Sequence, residues 1–270
     1  MAEPLPIAVY QYAARDEGPQ ERLGRLEAAA ARAAAGGARL LVAPELFLSG
    51  YAIGDADLRA RAEPADGPAS ARAGAIARAH GIALVYGYPE SAGARTCNAA
   101  RCIAPDGTPV ANHRKVLRAG PGERARYAGG DGLTLFGLDG HTIAVLICYD
   151  VEMPEAVRAA ALAGATLVAA PTALVDDHPF VARHMIPTRA FENGIYVAYA
   201  NFAGEENGTR YLGESCIAGP DHRVPARAGA GEELLLATVD PTAIATARTT
   251  LPYLDDLVAS PFAPRDHGRG

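Results

Sequence analysis

Ala144-Val145-Leu146-Ile147-Cys148-Tyr149-Asp150-Val151-Glu152-Met153-Pro154-Glu155 is the stretch around which the rest of the chain is organised. An uncharged, β-prone run over 141–147 stops at a cysteine. Pro154 then opens an Ala-rich helical segment, at a position where its missing N–H costs nothing. Cys148 is therefore expected at a strand end, on the turn into a helix, where active sites of layered α/β proteins collect. The Tyr149 N–H points into the same space, and helix-terminal donors there favour negative charge. A thiol so placed is a candidate nucleophile. The plainer reading is a buried structural cysteine, since free Cys is among the most buried residue types.

Working outward, strands are expected at 5–12, 39–43, 82–88, 96–104, 109–114, 133–138, 141–147, 166–170, 195–201, 212–218 and 233–239. Helices are expected at 19–35, 68–79, 154–163, 179–192 and near 241–247. Leu23 and Leu26 mark the inner stripe of the first helix, and Gly36-Gly37 stop it. Pro105-Asp106-Gly107-Thr108 has hairpin-turn chemistry. The polar, Gly-rich segment 118–131 reads as a lid or rim loop, and 251–270 as a Pro-rich tail. Many strands are apolar on both faces and need cover on both sides. Two sheets face to face, with helices outside each, supply that cover, so the expected fold is a four-layer αββα sandwich in one domain spanning 1–270.

The 270 residues carry a formal net charge of -6, with 49% hydrophobic and 21% charged residues. That balance excludes a disordered chain and argues against a nucleic-acid or anionic-membrane partner. No signal peptide is read at the start, and the uncharged run 159–175 is broken by Gly164, Thr166, Pro171 and Thr172, so a cytoplasmic protein is expected. Cys97, Cys102, Cys148 and Cys216 are read as thiols rather than a disulfide frame. The seven histidines lack metal-site spacing, and no cofactor or metal is expected.

Glu45 follows the apolar run Leu40-Leu41-Val42-Ala43, and Lys115 lies where another extended arm ends. Read singly, Glu45 is as well explained as a surface carboxylate or helix cap, and Lys115 as a solvated charge beside His113 and Arg114. Read together with Cys148 they answer a chemical problem. Hydrolysing an unactivated amide needs a nucleophile, a proton acceptor that later donates, and donors for a tetrahedral oxyanion. Cys148, Glu45, and Lys115 with the Tyr149 N–H supply these without a metal.

Pro44-Glu45-Leu46-Phe47-Leu48-Ser49-Gly50-Tyr51, His113-Arg114-Lys115 and the cysteine stretch resemble, in order and approximate spacing, the three signature blocks of the nitrilase superfamily of carbon–nitrogen hydrolases. Tyr86-Gly87-Tyr88-Pro89-Glu90, Arg189-Ala190-Phe191-Glu192-Asn193 and Tyr199-Ala200-Asn201 look like its aliphatic amidase branch, and most like bacterial amidohydrolases of 5-aminovaleramide. The resemblance implies an αββα sandwich, a Glu-Lys-Cys triad, a thioester intermediate, and homodimers or higher homo-oligomers in which the C-terminal tail reaches the partner. It also implies a second carboxylate, for which Glu123 is the candidate, and contacts to substrate from Tyr51 and Tyr149. The chain departs from the family in the loop after Lys115, where Val116-Leu117-Arg118 replaces a customary His-Leu pair.

In such proteins the segment 171–178 lines the pocket, and Asp176 and Asp177 there are candidates to receive the distal ammonium of an ω-amino amide. A solvated turn that caps the next helix is the alternative. The same triad serves a nitrilase or an N-carbamoyl-amine hydrolase. A non-catalytic binding protein or thiol sensor on this scaffold is the reading from a different class.

Overall fold

The computed structural model describes residues 2–262. Strands and helices are numbered along the chain. The larger sheet runs in the order β11 (Thr209–Arg210), β10 (Phe202–Glu206), β1 (Leu5–Ala14), β2 (Leu40–Val42), β3 (Ala83–Ala92), β4 (Arg95–Ile103) and β5 (Pro109–Arg114). On its β10 side, β1 is shared: residues 5–11 pair antiparallel with β14 (Glu233–Val239), and residues 12–14 pair parallel with β10. The smaller sheet runs β13 (Ala226–Arg227), β12 (Cys216–Ala218), β9 (Tyr196–Ala200), β8 (Leu167–Pro171), β7 (His141–Val145) and β6 (Thr134–Leu138).

Alternation along the strands builds three apolar layers. Ile7 and Val9 of β1 meet Ile143 and Val145 of β7 and Leu167 and Ala169 of β8 between the sheets. Ala8, Tyr10 and Tyr12 face the other way, onto α1 (Pro19–Ala35) and α3 (Pro68–His80). Val168 and Ala170 likewise face α6 (Pro154–Leu162) and α7 (Ile186–Asn193). The arrangement is an αββα sandwich, and it exists because these strands have no polar face to give to water. On α1, Leu23, Leu26, Ala29, Ala30 and Ala33 form the buried stripe. Among the described residues, no helix is long and apolar enough to cross a membrane.

Five segments differ from the expectation. Residues 55–61, where no helix or strand is expected, form α2 (Asp55–Arg61), and 118–131 contains α4 (Gly120–Arg126). Gly120, Pro121 and Gly122 masked α4, which is nucleated when the Glu123 carboxylate turns back to accept the Ala119 N–H at 2.7 Å. The expected helix 179–192 opens as a π-helical turn, Val181–Met185, ahead of α7, because Pro187 offers no N–H to the preceding turn. The expected strand 212–218 shrinks to β12, because the N–H groups of Leu212, Gly213 and Ser215 go to Leu174 O, Phe202 O and Gln11 Oε1 instead of a ladder. The terminal segment is helical over α8 (Pro241–Thr250) and α9 (Tyr253–Ala259); the rest of the expected tail, 263–270, lies outside the described residues.

Gly87 sets how closely β3 approaches the turn that carries Glu45. A Cβ there would run into Leu46 N, Pro44 O and the Glu45 carbonyl carbon, and the Gly87 N–H donates to Pro44 O at 3.0 Å. Gly87→Ala should therefore destabilise the fold by about 1–3 kcal/mol and lower activity by displacing Glu45, as read by urea unfolding and turnover. Unchanged stability would show that the turn has room to move.

Candidate active site

Two neighbouring carbonyls at the end of β8 bring the sheets' functional ends together. The Glu45 N–H, just beyond β2, donates to Thr172 O at 3.3 Å, and the Cys148 N–H, just beyond β7, donates to Pro171 O at 2.9 Å. These are the carboxyl ends of parallel strands, where open α/β sheets place their sites. Lys115 enters from the end of β5, and its N–H donates to Asn98 O on β4 at 2.8 Å. Its ammonium lies 2.7 Å from Glu45 Oε1 and 2.8 Å from Glu123 Oε1. All four side chains are buried. The structure thus brings Glu45, Lys115, Glu123 and Cys148 to one place.

Each is held from behind. Asn98 Nδ2 donates to Glu45 Oε1 at 2.6 Å, leaving Glu45 Oε2 buried and without a partner. The Tyr51 hydroxyl donates to Glu123 Oε1 at 2.9 Å. Asp150 accepts the N–H groups of Leu117 (2.7 Å), Val116 (3.3 Å) and Ile147 (3.2 Å), stitching the loop after Lys115 to the cysteine turn. Cys148 itself has φ 47 and ψ −105, a conformation that costs a non-glycine residue roughly 1–3 kcal/mol. The turn leads directly into α5 (Tyr149–Glu152), and the Tyr149 N–H donates to no acceptor among the described residues.

The charges are strongly coupled. Burial pushes the Glu45 carboxyl above its ordinary value, with Lys115 opposing and Glu123 reinforcing the rise. Burial also pushes the Cys148 thiol well up; the Glu45 carboxylate adds to this, while Lys115 and the Ala173 amide oppose it. Burial pulls the Lys115 ammonium's pKa down, but Glu45, Cys148 and Glu123 outweigh it and raise it, so the ammonium stays charged. The site therefore sets a neutral thiol beside a carboxyl group with a free oxygen and a fixed cation. That set can move one proton between sulfur and carboxylate and stabilise an oxyanion.

Other residues that were singled out lie elsewhere. Asp176 and Asp177 are exposed, and Asp176 sits 3.7 Å from the Arg210 guanidinium. Lys115 is not a solvated charge, and Arg114 beside it makes two 2.7 Å bonds to Glu90. Asn98 and Asp150 escaped sequence reasoning. For Asn98 the available signal was an amide alternating with apolar residues in the 96–104 strand. Among the described residues, no cluster of three or more His, Cys, Asp or Glu side chains could hold a metal.

Comparison with known proteins agrees with this geometry. The carbon-nitrogen hydrolase family matches residues 6–249. The chain belongs to that family. A hydrolase encoded in the pqqF 5' region of Pseudomonas protegens is 44% identical over 93% of this chain and 88% of its own length. An (R)-stereoselective amidase of a Pseudomonas species is 32% identical over 93% and 91%. Among solved structures, a cysteine-to-alanine variant of the amidase from Nesterenkonia sp. AN1 in complex with butyramide matches with TM-score 0.80 and 36% identity, covering 93% of each chain. The protein is accordingly a nitrilase-superfamily hydrolase acting on carbon–nitrogen bonds.

In this carbon–nitrogen hydrolase, Asp150 positions rather than reacts. Asp150→Ala strands three backbone N–H groups, so it should cost at least about 2 kcal/mol of stability. Loosening the Lys115 loop from the cysteine turn should also lower kcat by about 100-fold. Unfolding curves and kinetics measured on one preparation test both effects, and an unchanged kcat would remove the positioning role.

Proposed function

We propose that the protein is an amidase that converts a small linear aliphatic amide to a carboxylate and ammonia through a thioester on Cys148. The observation that supports this most directly is the unpartnered Glu45 Oε2, a buried base beside a buried thiol.

Glu45 takes the Cys148 proton as the sulfur attacks the amide carbon. The Lys115 ammonium and the Tyr149 N–H hold the oxyanion that forms. As it collapses, Glu45 passes the proton to the departing nitrogen, the C–N bond breaks, and ammonia leaves an acyl-thioester. Water then attacks the thioester while Glu45 takes one of its protons. The C–S bond breaks, and Glu45 returns the proton to sulfur. Glu123 holds the Lys115 ammonium opposite Glu45, and Tyr51 steadies Glu123. Among substrates within this reading are the ω-amino amides, 5-aminovaleramide among them.

The protein is further proposed to work as a homodimer through the outer helices. Leu162 on α6 and Val258 on α9 are 40% and 60% exposed, and neighbouring Phe262 is 84% exposed, an apolar face unusual for a lone protomer. Light scattering should give twice the chain mass, and Val258→Glu with Phe262→Glu should shift it to one.

Ammonia release from a panel of amides, nitriles and ureido compounds tests the activity. Mass spectrometry should find an acyl group on the Cys148 peptide. Cys148→Ala should abolish both signals with its unfolding curve unchanged. The raised Glu45 carboxyl carries a sign: the base form is lost as pH falls through that raised value, so the acidic limb of kcat/KM should lie above the ordinary carboxyl value of 4.5. Folded protein that releases nothing from any member of the panel ends the proposal.

A further inference from the structure

We propose that Asn201 is a positioning residue for the reaction: its buried side chain pins the segment 171–174, from which the turns carrying Glu45 and Cys148 both hang. The reaction is taken to be the amide hydrolysis proposed above.

Asn201 is the one residue between β9 and β10, and there the chain leaves the smaller sheet for the larger. β8 and β9 pair as far as Pro171 and Ala200, and the Thr172 N–H makes the last rung, to Ala200 O at 2.8 Å. Beyond that point β10 pairs with β1, so the main chain after β9 no longer faces Leu174. The Asn201 side chain takes over. Its Oδ1 accepts the Leu174 N–H at 2.7 Å, and its Nδ2 donates to Leu174 O at 3.3 Å and to Gly213 O at 2.8 Å. One N–H and two carbonyls as partners fix which way round the amide lies. The Leu212 N–H also reaches Leu174 O, at 3.0 Å, but the Leu174 N–H depends on Asn201.

Asn201 is itself locked. Its N–H donates to Ser215 Oγ at 2.8 Å, and Ser215 Oγ donates back to Asn201 O at 3.3 Å. The Ser215 N–H donates in turn to Gln11 Oε1 at 2.8 Å. Gln11, Asn201 and Ser215 are all fully buried. A buried polar network with its partners in place is rigid.

What this network steadies is the site. Pro171 O takes the Cys148 N–H, and Thr172 O takes the Glu45 N–H. Ala173 lies between two pinned residues, Thr172 and Leu174. It is buried, yet its N–H donates to no oxygen among the described residues, and a buried donor of that kind calls for a reason. The sulfur supplies one. Burial, Glu45 and Glu152 favour the Cys148 thiol, whereas Lys115 and the Ala173 N–H favour the thiolate. Asn201 thus acts at one remove, on the separation of sulfur from carboxyl group and on how readily the sulfur ionises.

The test uses Asn201→Ala in the full-length enzyme, with Asn201→Ser, too short to reach Leu174, as the second variant should the first not fold. Substrate contacts are kept while the reacting groups drift, so kcat should fall about 50-fold with KM within about threefold. Methyl methanethiosulfonate, a small neutral thiol reagent, reads the sulfur without any amide. Its rate on the Cys148 peptide, followed by mass spectrometry against pH, should rise at higher pH in the variants than in wild type, because loosening the Ala173 N–H removes a donor that favours the thiolate. Gln11→Ala is the structural control. It strands the Ser215 N–H and should lower the unfolding midpoint, but it leaves the Asn201–Leu174 pair in place and should keep kcat within about threefold of wild type. A folded Asn201 variant with an unmoved kcat, or with an unmoved reagent curve, overturns the inference and leaves the amidase reading standing. So does an equal loss of kcat in Gln11→Ala. A shifted reagent curve in an enzyme that cleaves no amide supports the positioning role and removes the amidase reading itself.

Discussion

A buried ammonium between two buried carboxylates is the constraint from which the rest of the structure follows. Lys115 sits within 2.8 Å of both Glu45 and Glu123, in a place where water cannot share the charge. Removing one partner of such a group is severely destabilising, and assembling the set is not in itself a source of stability. The scaffold therefore has to impose it. It does so with rigid backbone: Thr172 O holds the Glu45 turn, Asn98 O holds the Lys115 turn, and the Ala119 N–H holds Glu123. The result is one fixed positive charge and one mobile proton, which is what an addition–elimination at a carbonyl consumes.

Two sheets are needed because one cannot supply these ends. Glu45 and Lys115 leave the larger sheet, whereas Cys148 leaves the smaller one. Only face-to-face packing of Ile7, Val9, Ile143, Val145 and Leu167 places the ends side by side. The apolar inter-sheet layer and the polar site are thus one design: the strands' lack of a wet face produces the sandwich, and the sandwich's edge produces the chemistry. The strained Cys148 backbone is tolerated because Pro171 O and Asp150 hold it from both sides.

The layered fold and the three residues Glu45, Lys115 and Cys148 were legible because each follows an expected strand, Glu45 and Cys148 after apolar runs and Lys115 after the second arm of a hairpin. Glu123 was legible only through the resemblance, since Gly120-Pro121-Gly122 hides the helix that carries it. Asn98 and Asp150 were not legible. Their roles consist of hydrogen bonds to backbone far away in the chain, as when Asp150 reaches Val116 and Leu117. Asp176 and Asp177 attracted attention as a pair, but pairing along a loop says nothing about solvation.

The Tyr51 loop rests on another buried group. Glu206 accepts the N–H groups of Tyr51 and Ala52 at 2.9 and 2.8 Å and the Tyr211 hydroxyl at 3.0 Å, while Arg22 neutralises it at 2.8 Å. An anchor from position 206 thus seats a loop at position 51, and β1 waits for β10 and β14 to occupy its open side. During synthesis on the ribosome, the N-terminal half emerges carrying two of the three reactive side chains but lacks the parts that would seat them. A chain ending before position 206 therefore lacks both the anchor of the Tyr51 loop and the strands that flank β1.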